Sequence, residues 1–301
     1  MADSIDQIVE SSEAERLATG FEFTEGPLWH PEGYLLFVNN RINRIYRLVP
    51  GGEPEVIREN SGAANGLTFD LQGQVIMCEG DNRQMTRMEP DGSITVIADR
   101  LDGKRLNRPN DVVCRSDGNI YFTDPGGRLA PEDREIGFNG VHRIAPDGTV
   151  STAITDLESP NGLAFSPDES VMYADNTRRD DGCAQEKERG EVCTHQYIRA
   201  YDVAPDGTLS NSRIFAEMHS AADGVPDGMK VDTEGRVYCT GAEGVWVFEP
   251  TGRHVGIIRL PEIPANCAWG DADYRTMYFT ARSSVYRLRM KTTGVNPWRG
   301  S

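Results

Sequence analysis

Six positions carry a side-chain oxygen at the head of a short, largely apolar run: Glu25 in EGPLW, Asn65 in NGLTF, Asn110 in NDVVC, Asn161 in NGLAF, Asp227 in DGMKV and Asn266 in NCAWG. Carboxylates and amide carbonyls converging on one axis suit a hard divalent cation such as Ca²⁺. Glu25 and Asp227 facing each other without a cation would share a partly desolvated space, which raises the pKa of one of them. Turn capping, a common use of Asn and Asp, is the competing account. It explains one or two such positions well and six in register poorly. Mn²⁺, Mg²⁺ or, with waters, Zn²⁺ would also accept such a donor set. The five histidines (30, 142, 195, 219 and 254) show no HxH or HxxxH spacing that would point to a zinc site.

These six residues head an internal repeat of roughly 40 to 65 residues, a period typical of repeat architectures. Each head is followed by a turn (HPEG, DLQG, SDG, SPDES, DTEG, DADYR) and then a second apolar run such as YLLFVNN, NIYFTDP or RVYCTGA. Third and fourth runs follow across Gly-Gly or Pro-Asp-Gly turns, whose residues supply the positive φ of tight hairpins. The pattern predicts an all-β, six-bladed β-propeller with a central channel, each blade a four-stranded antiparallel meander. The whole chain, 1–301, reads as this one domain, with 1–14 expected to be a flexible tail. The last repeat fades after VYRLRM, so ERLATGF (15–21) is expected to supply its outer strand and close the ring. No four-turn amphipathic helix is evident. Two stretches depart from the meander, 125–140 and the charged 178–195.

The composition excludes some partners. Thirty-one basic against 47 acidic residues give a net charge of −16. Nucleic acids and anionic membranes are bound mainly through Lys and Arg, so neither is expected. No run approaches a membrane span, and MADSIDQIVESSEAER has no basic or apolar region of a secretory signal. A cytoplasmic protein, monomeric or a small homo-oligomer, is the expectation. Among six scattered cysteines, Cys78, Cys114 and Cys239 sit in strand-like runs and read as buried thiols. Cys183 and Cys193 flank a charged loop and have the option of pairing, although a reducing compartment favours free thiols.

FTEGPLWHPEG, LNRPNDVVCRSDGNIYFTDP, FNGVHRI, ESPNGLAFSPDESVMYADNT, GVPDGMKVDTEGRVYCTG and PANCAWG together resemble the motifs of the gluconolactonase family, which includes the regucalcin and luciferin-regenerating proteins. The resemblance covers about residues 17–288. It implies one divalent metal, Ca²⁺ first, held by Glu25, Asn161 and Asp227, with Asn110 reaching the metal directly or through water. It also implies substrate contacts from Arg108 and Asn110. Asp124, at the end of its strand in YFTDP, is expected to hold Arg108 or the substrate, with turn capping an equal alternative. His142 departs from the family's usual aromatic Tyr, and the 178–195 loop is longer and more charged than the family pattern.

The implied reaction is metal-dependent hydrolysis of a small lactone, with the cation polarising the carbonyl and Asp227 as general base for water. No GxSxG is present, which argues against a serine hydrolase. Cys267, beside Asn266, reads as a buried thiol in preference to a nucleophile. Two rivals remain: a phosphotriesterase resembling diisopropyl-fluorophosphatase with Asp227 as nucleophile, and a non-enzymatic calcium-binding propeller.

Overall fold

A computed structural model describes Ala2 and residues 4–127, 129–178 and 180–298. Six four-stranded antiparallel sheets follow one another around a central axis. Their innermost strands are Thr24–His30, Ala64–Phe69, Val112–Cys114, Pro160–Phe165, Met229–Val231 and Pro264–Gly270. The sixth sheet is completed by Glu15–Thr19, which pairs with Ser284–Arg289. The expected closure therefore joins the N-terminal strand to the last repeat. At this seam Trp29 of the first blade stacks on Tyr278 of the sixth, ring centroids 5.1 Å apart.

The hairpins form where the sequence supplies turn chemistry. Gly235 in DTEG adopts φ +84, a conformation that costs an L side chain energy and glycine nothing. The alternating strand residues fill the seams between blades. Tyr121, Tyr238, Tyr278, Phe37, Phe122 and Phe279 are all fully buried. Each blade has a first hairpin at one end and its second at the other, next to the head of the inner strand. The pairings Thr24 with Asn39 and Ala64 with Glu79 fix this arrangement. Both insertions occupy the second hairpin, in the third and fourth blades, and so rise from the face that carries the six polar heads.

Three features differ from the sequence reading. First, the segment expected to be a loose tail packs against the sixth blade: Ile8 and Val9 are buried, Val9 bridges Met290, and Lys291 N donates to Ile8 O at 2.7 Å. The apolar pair within IDQIVE supplies the reason, because exposing it would cost burial energy. Second, the 178–195 insertion folds into a two-turn helix, Asp181–Glu188, capped by the Asp180 carboxylate accepting from Cys183 N at 2.8 Å. Third, Cys183 and Cys193 are joined as a disulfide, so the compartment argument for free thiols gave the wrong weight. The insertion has little apolar surface, and the bond closes it where a core does not.

Candidate metal centre and substrate cavity

Why the six polar heads sit side by side is visible one residue further on. A methyl group on Gly26 would overlap the Asn65 carbonyl, one on Gly162 the Asp227 carbonyl, and one on Gly228 the Asn266 side chain. Glycine after the polar head lets neighbouring inner strands approach backbone to backbone. Gly66 N donates to Asn110 O at 2.7 Å, and Gly228 N to Ala265 O at 2.8 Å. The third and sixth blades depart from this pattern, with Asp111 and Cys267 in the glycine position, and Asp111 buries a carboxylate just inside the channel.

The ring resolves into three hydrogen-bonded groups. Asn161 Nδ2 donates to Asp227 Oδ1 at 2.5 Å. Asn266 Nδ2 lies 3.1 Å from Glu25 Oε2 and 3.4 Å from Asp111 Oδ2, bridging two carboxylates. Asn40 Nδ2 reaches Asn65 Oδ1 at 3.3 Å, and Asn65 Nδ2 reaches Asn110 Oδ1 at 2.9 Å. Five of the six heads (Glu25, Asn65, Asn110, Asn161 and Asp227) line one cavity of about 150 Å³, and Asn266 lies outside its lining. Asn65 and Asn266 thus serve as amide braces for their neighbours.

Electrostatics single out Glu25. Its carboxyl is held well above the usual carboxylate range by burial first, then by the negative charge of Asp227; Asp111 adds to this. Asp111 is also pushed up by burial, offset in part by the Lys230 ammonium. Two mutually repelling carboxylates, with amide oxygens within the same cavity and no Lys or Arg in the ring, form a donor set that fits a hard divalent cation. An Asn amide serves such an ion through Oδ1, and its O and N ends are interchangeable in shape. Among the described residues no group of three His, Cys, Asp or Glu side chains has metal-binding spacing, so any such site here relies on amide oxygen as well as carboxylate.

Arg108 lines the same cavity, and its Nη1 contacts Asp81 Oδ1 at 2.7 Å. Asp81 therefore holds the guanidinium, a role the sequence had suggested for Asp124. Asp124 is fully buried away from the cavity lining, accepting from Asn107 N at 2.7 Å, with its Oδ2 3.3 Å from His142 Nε2. It supports the base of the 125–140 insertion. Burial pushes the Cys267 thiol up to about 12, which removes it as a nucleophile at neutral pH. Sequence reasoning missed Asp111 and Asp81. The signal for Asp111 was its place in the NDVVC head where NGLTF and NGLAF have glycine. Asp81 had no signal, because its turn is brought to Arg108 only by the packing of the second blade on the third.

The chain is an all-β propeller with a carboxylate–amide cluster at one end of its channel. Within that fold class, the chain belongs to the SMP-30/Gluconolactonase/LRE-like family, whose model matches residues 23–283. It is 28% identical to a gluconolactonase of Zymomonas mobilis, with 94% of this chain and 83% of that protein aligned. A pentonolactonase of Haloferax volcanii is also 28% identical, over 87% of this chain and 82% of that protein. Among solved structures, a gluconolactonase of Xanthomonas campestris superimposes with a TM-score of 0.83 at 30% identity, covering 96% of this chain and 93% of that one.

Proposed function

We propose that this protein hydrolyses a small sugar-type lactone with one divalent cation, Ca²⁺ first, held by Glu25, Asn161 and Asp227. The observation carrying this reading is that these three residues line one cavity together with Arg108 and Asn110. The family's lactonase members supply the reaction class. A bound cation would supply a Lewis acid for the lactone carbonyl. Asp227 takes a proton from the attacking water, a role open to a carboxylate beside the reacting carbon. Arg108, steadied by Asp81, orients a ring or hydroxyl oxygen through charge-assisted hydrogen bonds. Asn110, itself braced by Asn65, provides a second polar contact.

The test is hydrolysis of a panel of γ- and δ-lactones by chelator-stripped protein with Ca²⁺, Mn²⁺, Mg²⁺ or Zn²⁺ restored one at a time. Metal-dependent acid release is the expected result. Protein that binds a cation yet opens no lactone would overturn the proposal. Paraoxon or diisopropyl fluorophosphate run alongside would reveal phosphotriester turnover in its place.

A further inference from the structure

Beside the metal centre, and sharing Phe23 and Asp227 with its cavity, lies a second hollow of about 470 Å³ that opens to solvent on the same face. Two arginines line it. Arg41 comes from the short second turn of the first blade and Arg282 from the corresponding turn of the sixth. Both are exposed, and among the described residues neither has a carboxylate within ion-pair distance. The chain contains 47 acidic residues, and two further arginines on this face are held by carboxylates, Arg108 by Asp81 and Arg178 by Asp180 and Glu186. Arg41 and Arg282 thus place two guanidiniums without a carboxylate partner at the lip of the site. Arg41 is also steadied, its guanidinium carbon 5.4 Å from the centroid of Phe23. Two acids share the hollow, the exposed Glu22, which a ligand anion would have to displace, and Asp227, from which it would have to stand clear.

We infer that Arg41 and Arg282 form an anion subsite, and that the preferred substrate is a lactone carrying a second, negatively charged group, a carboxylate or a phosphate, remote from the ring carbonyl. The inference rests on the lactonase reading for its reaction and on the two arginines alone for its charge. Guanidinium groups recognise carboxylate and phosphate through the same paired donors, so the geometry specifies the anion and leaves its identity to experiment. Placing the anion here leaves the lactone ring facing Asp227, which both cavities share.

Two measurements separate the layers of the argument. The first is binding by calorimetry of glucose, glucuronate and glucose 6-phosphate, none of which contains a lactone, to metal-loaded wild type and the R41Q/R282Q variant. At least one anionic sugar is expected to bind about tenfold more tightly than glucose, an advantage of ~1.4 kcal/mol that the variant loses. Tighter glucuronate assigns the subsite to carboxylates, and tighter glucose 6-phosphate assigns it to phosphates. The second is kcat/KM for glucono-δ-lactone, its 6-phosphate and glucarolactone, where the variant is expected to lose the advantage of the charged lactones and keep the neutral rate. Equal binding of all three sugars, or a preference for anions unchanged in R41Q/R282Q, would overturn the subsite. Arginine-dependent binding of anions without turnover of any lactone would leave the subsite standing and remove the lactonase reading beneath it.

Discussion

The two ends of the channel are built by the same six strands and have opposite chemistry. At the upper end the heads of five of the six repeats deliver Glu25, Asn65, Asn110, Asn161 and Asp227 to one polar cavity. Two to four residues later four of the six strands deliver Leu28, Trp29, Leu67, Phe165 and Trp269 to the lower end, where Val295 and Pro297 of the C-terminal segment join them. Strand pairing is interrupted at the upper end, where the register shifts between Glu25 and Leu28, Ala64 and Leu67, and Pro160 and Leu163. The difference lies in what each motif places after its glycine. EGPLW, NGLTF and NGLAF pass from oxygen donor through a small residue to a large apolar one within five residues. The lower end behaves as core and holds the barrel of inner strands together. The upper end departs from core chemistry and holds carboxylates whose repulsion a bound cation would relieve. Asp111 and Lys230 mark the border between the two.

If chemistry belongs to the upper end alone, the largest single effect should come from Asp227. Replacing it with Asn keeps the shape and the contact with Asn161 while removing the proton acceptor. Turnover in D227N is expected to fall by about 10²–10⁴-fold, the usual contribution of a general base. The thermal transition should stay close to that of wild type. Near wild-type kcat in a well-folded D227N would dissolve the contrast, because the upper ring would then be a set of turn caps.

The contrast also explains which parts of the molecule were legible in the sequence. The six heads and their turns repeat, so the propeller, its four-stranded blades and the closing strand at Glu15–Thr19 follow from pattern alone. Gathering Glu25, Asn161 and Asp227 needs only that register. The bracing of Arg108 by Asp81 needs the packing of one blade on the next, and no local spacing encodes it. Asp124 misled because its position at a strand end is compatible with both a site residue and a support. Its buried contacts with Asn107 and His142 depend on how the 125–140 insertion folds back. The helix and disulfide of 178–195 were hidden for a related reason. That segment has no repeat to compare with, and a two-turn capped helix leaves little periodicity.

Glu25 offers a sharper test through pH. Its carboxyl is raised in the folded, metal-free protein, so the folded state holds its proton more tightly than the unfolded state does. Linkage then requires the metal-free protein to lose stability as pH rises from the ordinary carboxylate range through the raised value. E25Q removes the burden. At neutral pH without metal it is expected to melt roughly 2–4 °C above wild type, the shift that about 1 kcal/mol produces in a chain of this class. Adding Ca²⁺ should reverse the order, stabilising wild type by mass action and E25Q far less. Excess metal should restore much of the E25Q rate. Paired melting curves from pH 4 to 8 would check this, and a wild type that without metal is the more stable of the two at every pH would refute the charge-repulsion account of the upper end.

The smallest expected effect lies at the border. Lys230 offsets the burial of Asp111 from below, and its own Nζ donates to Met229 O at 2.9 Å. K230M should leave Asp111 with less compensation and raise its pKa further. The resulting loss of stability, about 1 kcal/mol, is modest because Lys230 is only partly buried and the two side chains do not form a direct ion pair. The sign follows from the group that titrates. The deficit relative to wild type is present where Asp111 is ionised, at neutral pH, and disappears as pH falls and Asp111 becomes protonated in both proteins. Denaturant midpoints at pH 7 and pH 4 would measure it. The kcat on a neutral lactone should stay within about twofold of wild type, since Asp111 lies outside the lining of the upper cavity. A large fall in kcat without a change in stability would mean that the influence of Asp111 on Glu25, which Asn266 bridges, extends to turnover, and that the two ends of the channel work as one site.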